Sequence, residues 1–571
     1  MSVSSLPFLH GALAAVLPKL AAWRRDFHAH PEAGWTEFRT AALIIRRLRE
    51  LGYAIRMGEA ACASDRRMGV PSSAVLAAAR ERALEHGADA ELVAGMGDGY
   101  TGFWADLDCG PGPVTAFRFD MDCNEVAECA EESHRPVREG FASRWPGLMH
   151  ACGHDGHAAV GLGLAEVLVS IRRHLRGRIR LIFQPAEEGA RGALPMSEAG
   201  AVDGVDVLFG FHIGFKAEGP GSLICGTQGF LATTKRDVLF SGVPAHAGAA
   251  PEEGKDALLA ACSAVVNLHA ISRNGKGGTR IAVGRLEGGE ARNVIPASAR
   301  LFMETRGETT ELDAYMTAES ERILRASAEL WGCACEWRTV GNSAGGGSSP
   351  ELARLIATVA EAMGGWKTVI PMSGFGATED FACLMSRVQA SGGLASYLQV
   401  GTDRAAGHHS DRFDFDETCL GRALELLARL AVRMAGGGQE DTETETESDM
   451  EFLDEVVRRK GIHVQLWLEG EDGEGFGRGR VELLQLVDEL GSLSKAAKQL
   501  GMSYRGAWGK IKKAERIAGE TLVDASGTKR DGYSLTPAGR ELVQRFQQWY
   551  ADVESFAKKR AEALFSDFDK E

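Results

Sequence analysis

A polar, glycine-rich and acidic segment divides the 571-residue chain into two parts. Residues 435–450 read AGGGQEDTETETESDM, with three glycines, six carboxylates and almost no apolar side chains. Such a segment buries too little apolar surface to fold by itself. We therefore predict a flexible linker over residues 435–450, with a large folded region before it and a smaller one, residues 451–571, after it.

Length and composition indicate a multidomain protein from a reducing compartment. A single hydrophobic core stops growing near about 250–300 residues, so a chain of this length forms more than one domain. The hydrophobic content of 44% is enough to fold them. The 11 cysteines are an odd number without regular spacing, which does not fit a disulfide framework.

The N-terminus predicts a surface helix and not a secretory signal. It lacks a basic start and is interrupted by Pro7, Pro18 and Lys19. No apolar run approaches the length of about 18 residues that a membrane span needs. We expect a soluble, cytoplasmic protein without membrane contact. The net charge of −15 excludes nucleic-acid binding over the whole surface but is compatible with a local basic patch.

Hydrophobic periodicity before the linker predicts an α/β fold. Short apolar runs such as PVTAFRFD, RIRLIFQP and VDVLFGFHIG alternate with helical patterns such as FRTAALIIRRLRELG. Over residues 228–342 the order changes to β-α-β-β-α-β, which predicts a ferredoxin-like α+β module. We expect this module to be inserted, as a dimerisation or lid domain, into a catalytic α/β domain formed by residues 1–227 and 343–434.

Metal-ligand residue types recur where predicted strands end, at Cys152, His154, Glu187, Glu188, His212 and His409. Open α/β sheets bind their ligands at the carboxyl ends of strands, so we expect these side chains to converge. Thiolate, imidazole and carboxylate together suit zinc or, with more oxygen ligands, manganese. One of the adjacent glutamates can bind metal while the other transfers protons.

Three further histidines have a structural explanation as well as a functional one. His157 lies in the motif MHACGHDGH and would open, cap or pack the helix that follows. His28 and His30, in RRDFHAHPEAGW, would pack at the end of a helix. A buried histidine is usually a hydrogen-bonded core residue, so we do not count these three as metal ligands.

The motifs RRDFHAHPE, RFDMD, HACGHDGH, FQPAEEG, PAHAG and HHSDRFDFD resemble the amidohydrolases of the M20 metallopeptidase superfamily. The resemblance covers nearly all of residues 10–435, and RRMGVP and SHRPVREGFAS resemble the branch that acts on p-aminobenzoyl-glutamate. It implies a metallopeptidase-type fold and two divalent metal ions, Mn or Zn, held by Cys152, His154, Glu188, His212 and His409.

The same resemblance implies roles for four more residues. Glu187 would be the general base that takes a proton from water and passes it to the leaving amine. His246 of the inserted module would enter a neighbouring subunit's site and stabilise the oxyanion. Asn293 and Arg306 would grip the substrate, although a loop residue and a surface arginine are the structural alternative. The implied partner is a second copy of the chain or a homologous subunit.

The tail predicts a winged helix-turn-helix. VELLQLVDELG, SLSKAAKQLG and SYRGAWGKIKKAERIAG read as three helices, and TLVDASGTKRDGYSLTPAG as two strands around a basic turn. From Lys495 to Arg540 there are ten basic and four acidic residues, which favours DNA binding over a protein-interaction role. The region resembles the DNA-binding domain of ModE-type regulators, which implies DNA contacts or helix capping by Ser503, Tyr504, Arg505, Lys529 and Arg530.

Together these features predict a dinuclear metal amidohydrolase fused to a DNA-binding regulator domain. The expected substrate is a small N-acyl or N-aroyl amino acid, with p-aminobenzoyl-glutamate first. One alternative is another N-acyl amino acid such as hippurate. The other is a transcription regulator whose hydrolase-like part only senses a ligand.

Overall fold

The computed structural model describes residues 6–435, 467–469, 475–500, 502, 504–524 and 533–565. The chain divides into two compact units, residues 1–457 and 458–571. Apart from Ala435, the predicted linker lies outside the described residues. The predicted domain limits at residues 228 and 342 stay a prediction.

The helices of the larger unit are α1 (Pro7–Ala29), α2 (Phe38–Glu50), α3 (Ser73–Glu85), α4 (Ala90–Gly95), α5 (Arg135–Arg138), α6 (His154–Ser170), α7 (Ala193–Glu198), α8 (Ala257–His269), α9 (Thr310–Leu330), α10 (Pro350–Met363), α11 (Phe381–Ala390) and α12 (Thr418–Ala435). Its strands are β1 (Ala54–Met57), β2 (Phe103–Asp108), β3 (Val114–Asp120), β4 (Arg178–Gln184), β5 (Val207–Glu218), β6 (Ser222–Ile224), β7 (Thr227–Phe230), β8 (Ala232–Ser241), β9 (Thr279–Gly288), β10 (Ser298–Gly307), β11 (Ala334–Ser343), β12 (Gly346–Gly347), β13 (Thr368–Ile370), β14 (Ser373–Gly374) and β15 (Leu394–Thr402).

An eight-stranded mixed sheet in the order β1-β2-β4-β3-β5-β15-β6-β13 forms the centre of this unit. Strands β4, β3, β5 and β15 run parallel, and their near-continuous apolar sequences are buried on both faces. Phe117 packs into one hydrophobic core and the neighbouring Ala116 into another on the opposite face. The α/β fold predicted from periodicity is confirmed.

A separate four-stranded antiparallel sheet, in the order β11-β8-β10-β9, forms the inserted module. Its chain order is β8, α8, β9, β10, α9, β11, as predicted. Val238, Phe240 and Leu301 face the two helices and form a core with them. The other face of this sheet carries charged side chains.

The surface helix predicted at the N-terminus is present as α1, with side chains such as Leu17 exposed on its outer face. Leu9, Leu13, Val16 and Leu20 are buried because α1 packs along α6. No helix among the described residues is long and apolar enough to cross a membrane.

The smaller unit is built around three short helices and a long one: α13 (Arg478–Leu490), α14 (Leu493–Gln499), α15 (Tyr504–Ala518) and α16 (Pro537–Phe565). Its strands are β16 (Trp467–Glu469), β17 (Gly475–Gly477), β18 (Val523–Asp524) and β19 (Ser534–Leu535), paired β16 with β17 and β18 with β19. Gly491 ends α13 in the left-handed region, at φ 59°, and the Ser492 hydroxyl caps α14. The helix-turn-helix predicted for this region is confirmed.

Candidate metal centre

Cys152 and His154 flank the start of α6. Gly153 between them has φ 97°, a left-handed conformation that turns the chain into the helix. His154 Nδ1 lies 2.8 Å from the carbonyl oxygen of Asp122, just beyond β3. Because a carbonyl oxygen only accepts, Nδ1 carries the proton, and Nε2 presents a lone pair to the site.

Glu187 and Glu188 lie in a tight loop after β4. Ala186 has φ 49° and Ala190 has φ 62°, both unusual for residues with a Cβ. The Asp122 carboxylate accepts the backbone N–H groups of Glu187 at 3.0 Å and Glu188 at 2.9 Å. The loop is therefore held in a strained conformation that directs two consecutive carboxylates to one site.

His212 on β5 and His409 in the segment before α12 complete the set. Cys152 Sγ lies 3.5 Å from His212 Nε2, and His409 Nε2 lies 3.4 Å from Glu188 Oε1. His409 also has a left-handed backbone, at φ 65°, and its N–H donates to the carbonyl oxygen of Ala151.

The five predicted ligands form two overlapping groups. The ligand atoms of Cys152, His154 and His212 lie within 4.8 Å of one another, and so do those of Cys152, Glu188 and His409. Cys152 belongs to both groups, so its sulfur lies within reach of the ligand atoms of each. His154, Glu187 and Glu188 form a third group of the same size.

Unpartnered atoms and the spacing of the ligands both fit a bound cation. Among the described residues, His154 Nε2 is buried without a hydrogen-bond partner and the buried Glu188 Oε1 has only its 3.4 Å ion pair with His409, which is costly unless an ion binds these atoms. Two ligands of a tetrahedral zinc ion, at about 2.3 Å for sulfur and about 2.0 Å for nitrogen, lie about 3.5 Å apart. Cys152 and His212 have that spacing. The residues present therefore fit the metal that the motifs imply.

The protein environment shifts the pKa values of two key groups. Burial raises the pKa of Cys152 to about 12, with a further contribution from the charge of Glu188. Metal binding at neutral pH therefore displaces the thiol proton. Burial, followed by the charges of Glu379 and Glu188, raises the pKa of Glu187 well above its usual range.

A buried charge cluster behind Glu187 was missed by the sequence reasoning. Arg118 on β3 pairs with Asp120, with Glu379 at 2.9 Å and with Asp380 at 3.2 Å. Asp380 also accepts the N–H groups at the start of α7. The adjacent acidic residues before the apolar helix α11 were the available signal.

The histidines with a structural explanation lie outside the ligand groups proposed above. His157 Nδ1 bonds Asp120 at 2.5 Å and its Nε2 accepts the N–H of Ile213 at 2.9 Å, so both nitrogens are used. His28 bonds Asp155 at 2.8 Å and Glu128 at 3.0 Å. His30 Nδ1 donates to the carbonyl oxygen of Asp26.

The substrate-binding residues predicted in the inserted module are not gathered at this centre. His246 and Asn293 are exposed and adjacent, and His246 Nδ1 accepts the N–H groups of Gly248 and Ala249, both at 3.1 Å. Arg306 on β10 is paired through two nitrogens with both carboxylate oxygens of Glu304. Among the described contacts of these three residues, none is to a metal-centre ligand.

The predicted DNA-contacting residues are described only in part. Tyr504 opens α15, is 48% exposed, and its hydroxyl lies 2.9 Å from that of Tyr533. Arg505 is in the first turn of the same helix. Ser503, Lys529 and Arg530 lie outside the described residues.

Two known protein families match different parts of the chain. Residues 116–433 match the model of peptidase family M20/M25/M40. Residues 479–540 match that of the bacterial regulatory helix-turn-helix proteins of the lysR family. The match of the tail supports a helix-turn-helix. It is to the lysR family and not to ModE-type regulators, so the ModE-type resemblance stays a prediction.

Several curated proteins and solved structures are similar to the chain before the tail. One of the subunits of the p-aminobenzoyl-glutamate hydrolase of Escherichia coli is 46% identical over 420 residues, 73% of this chain and 96% of that protein. The indole-3-acetyl-aspartic acid hydrolase of Enterobacter agglomerans is 44% identical over 429 residues, 75% of this chain and 98% of that protein. The crystal structure of an aminobenzoyl-glutamate utilization protein from Klebsiella pneumoniae superposes with TM-score 0.65 at 40% identity, covering 74% and 98% of the two chains.

The family match spans more than half of the sequence, and these relatives are aligned over nearly their whole length. The motifs, the fold and the grouped ligands agree with that match. The chain therefore belongs to peptidase family M20/M25/M40.

Proposed function

We propose that the larger unit hydrolyses the amide bond of N-acyl or N-aroyl amino acids, with p-aminobenzoyl-glutamate as the first candidate. The observation that carries this proposal is the convergence of Cys152, His154, Glu188, His212 and His409 beside Glu187. Two similar proteins are named as hydrolases of p-aminobenzoyl-glutamate and of indole-3-acetyl-aspartic acid, both amides of an acidic amino acid.

Two divalent ions, Mn or Zn, would occupy this centre. The ligand groups that share Cys152 support two ions, one bound by His154 and His212 and one by Glu188 and His409. Such ions lower the pKa of water and polarise a carbonyl group.

Glu187 is the proposed general base. Its carboxylate lies 3.9 Å from His154 Nε2, next to the five proposed metal ligands, and is not one of them. A carboxylate there takes the proton from the attacking water and donates it to the amine nitrogen as the C–N bond breaks. Glu379 and Asp380 behind it add negative charge, which makes Glu187 a stronger base.

His246, Asn293 and Arg306 would act on a substrate held by a second subunit. Because His246 Nδ1 accepts two backbone N–H groups, its Nε2 carries the proton and is a donor. Its exposed position at the tip of the module suits donation to an oxyanion in a neighbouring copy's site. We therefore propose a homodimer, or a heteromer with a homologous subunit.

An activity assay tests the hydrolase proposal. The full chain, loaded with Mn or Zn, is incubated with p-aminobenzoyl-glutamate and with hippurate, and release of each aromatic acid is followed. We expect hydrolysis of the former to exceed that of hippurate, and Glu187→Ala to lower kcat about 10²–10⁴-fold with the metal content unchanged. Equal rates for Glu187→Ala and the parent would contradict the proposed base. Binding without hydrolysis would favour a ligand sensor.

We propose that the tail binds DNA, which places the protein in the cytoplasm. Helix α15 is the second helix of the helix-turn-helix formed with α14 and carries the exposed Tyr504 at its start. The excess of basic residues between Lys495 and Arg540 supports contact with phosphates.

A salt titration tests the DNA proposal. The logarithm of the DNA affinity of the full chain should fall linearly with the logarithm of salt concentration, and Lys529→Ala together with Arg530→Ala should reduce the slope by about 1–2 units. A flat salt dependence would favour a protein-interaction role. Glu91→Gln in the larger unit is the control and should leave the slope unchanged.

A further inference from the structure

Two cationic side chains beside the catalytic loop have no ion-pair partner among the residues that the structure describes. Lys235 lies on β8 of the inserted sheet, opposite Glu304 on β10 and Gly341 on β11. Arg191 follows the loop that carries Glu187 and Glu188. In the described part of the chain, neither the Lys235 ammonium nor the Arg191 guanidinium forms an ion pair, although both side chains are partly buried.

Close packing brings Lys235 to the loop. A Cβ on Gly341 would lie 2.2 Å from the carbonyl oxygen of Gly189 and 3.2 Å from Cδ of Lys235. The N–H of Asn342 donates to the carbonyl oxygen of Ala190 at 2.8 Å. The glycine at position 341 therefore lets the inserted sheet touch the loop one residue beyond the ligand Glu188, with the Lys235 side chain at that contact.

Two glycines leave room for the Arg191 side chain beside the same loop. Gly69 has φ 60° and Gly189 has φ 101°, and a Cβ on them would lie 2.9 Å and 2.6 Å from Arg191 Nε. This nitrogen is buried and has no hydrogen-bond partner. The guanidinium therefore packs closely against backbone that carries no charge to neutralise it.

The acidic groups nearby do not neutralise Lys235. Glu304 lies directly across the sheet, but both of its carboxylate oxygens already accept from Arg306. Burial lowers the pKa of Lys235, against the opposing effects of the Glu304 and Glu187 charges, and neither glutamate forms an ion pair with it. An unpaired cation in a partly buried position is unfavourable unless a ligand supplies the negative charge.

We propose that Lys235 and Arg191 bind the side-chain carboxylate of the leaving amino acid, so that the site selects N-acyl aspartate or glutamate over neutral or side-chain-free amino acids. This inference rests on the proposed hydrolase function. The α-carboxylate is common to all these substrates, whereas a second carboxylate requires further cations. Arg306 is proposed to act on a substrate held by a second subunit, so it does not supply that charge here.

A binding experiment tests the inference without depending on turnover. The full chain carrying Glu187→Ala, which does not consume the ligand, is titrated calorimetrically with p-aminobenzoyl-L-glutamate and with p-aminobenzoyl-L-glutamine. We expect the glutamate compound to bind more tightly. Adding Lys235→Met should raise its Kd about 10-fold or more, the effect of losing one charge-assisted hydrogen bond, and leave the Kd of the glutamine compound within about 3-fold.

Controls separate recognition from structure. Lys276→Met, on an exposed loop of the same module, should change neither Kd. Lys235→Met keeps the aliphatic chain and removes an unpaired charge, so its Tm should not fall.

Arg191→Met is the second variant and should show the same selective loss of affinity for the glutamate compound. The inference is overturned if Lys235→Met and Arg191→Met weaken the binding of both compounds equally or leave both Kd values unchanged. This holds even if the parent hydrolyses p-aminobenzoyl-glutamate. If the parent hydrolyses nothing and these variants still lose the glutamate compound selectively, only the hydrolase proposal fails.

Discussion

Asp122 shows how one buried side chain prepares several ligands at once. Its carboxylate holds the backbone N–H groups of Glu187 and Glu188, and its carbonyl oxygen sets the tautomer of His154. Glu37 supports the same loop from the other side, accepting the N–H of Ala186 at 2.8 Å. The ligand positions are therefore fixed by residues that need not touch the metal.

The buried carboxyl of Glu37 predicts a pH-dependent stability. Burial, with the charge of Asp122, raises its pKa from 4.5 to about 8. Its stabilising contribution is thus complete below pH 4.5 and is lost as the pH rises through 8. In thermal melts of the metal-free protein, the Tm of the parent should decrease as the pH is raised from 4.5 to 8. The Tm of Glu37→Gln should decrease less over the same pH range. The exposed Glu91→Gln should keep the parent's pH dependence, and a Glu37→Gln profile identical to the parent's would contradict this account.

At the scale of elements, α1 is attached to the catalytic fold by a buried ion cluster. Arg24, with a fully buried side chain, bonds Asp155 in α6 at 2.8 Å and Asp414 at 2.9 Å. Asp155 directly follows the ligand His154, and Asp414 lies shortly after His409. The cluster thus links α1 to two of the three segments that carry histidine ligands.

Removing the buried cation should be strongly destabilising. Arg24→Met removes the fully buried cation between Asp155 and Asp414, and we expect it to lower the free energy of unfolding by about 3–5 kcal/mol in chemical denaturation. Lys19→Met is the matched control on the same helix, because the Lys19 side chain is 45% exposed and its pair with Glu166 contributes about 1 kcal/mol or less. Equal losses for the two variants would show that the cluster does not anchor the helix.

At the scale of the whole molecule, the two units have separate hydrophobic cores. The core of the smaller unit is formed by side chains such as Phe476, Leu484, Ile511 and Phe546, all within residues 458–571. The family matches divide at the same place, with one ending at residue 433 and the other beginning at 479. Each unit therefore has the means to fold by itself.

Separate cores predict two transitions in differential scanning calorimetry of the full chain. The larger unit should give the transition with the greater enthalpy, since unfolding enthalpy scales with size. Chelation of the metal should lower the Tm of that transition alone, because an ion present at 100 times its Kd stabilises its unit by about 2.7 kcal/mol. A single transition, or an equal shift of both, would contradict independent units.

The sequence by itself determined the features that depend on local pattern: the alternation of strands and helices, the β-α-β-β-α-β module, the helix-turn-helix, and the ligand types in short motifs. It did not show the β16–β17 hairpin or the full length of α16. Periodicity and motif spacing depend on residues that are near one another in the chain. These local patterns were sufficient to predict the fold class.

Only the tertiary structure decided which charged groups, distant in the sequence, lie close enough to interact. Arg118 meets Glu379 and Asp380 across more than 260 residues of chain, behind the proposed base. Lys235 reaches the catalytic loop where Gly341 of the inserted sheet packs against Gly189, and there the charge of Arg191 acts on it. Burial and ion pairing depend on three-dimensional proximity, which raises or lowers the free energy of a charge in ways that local residue spacing does not specify.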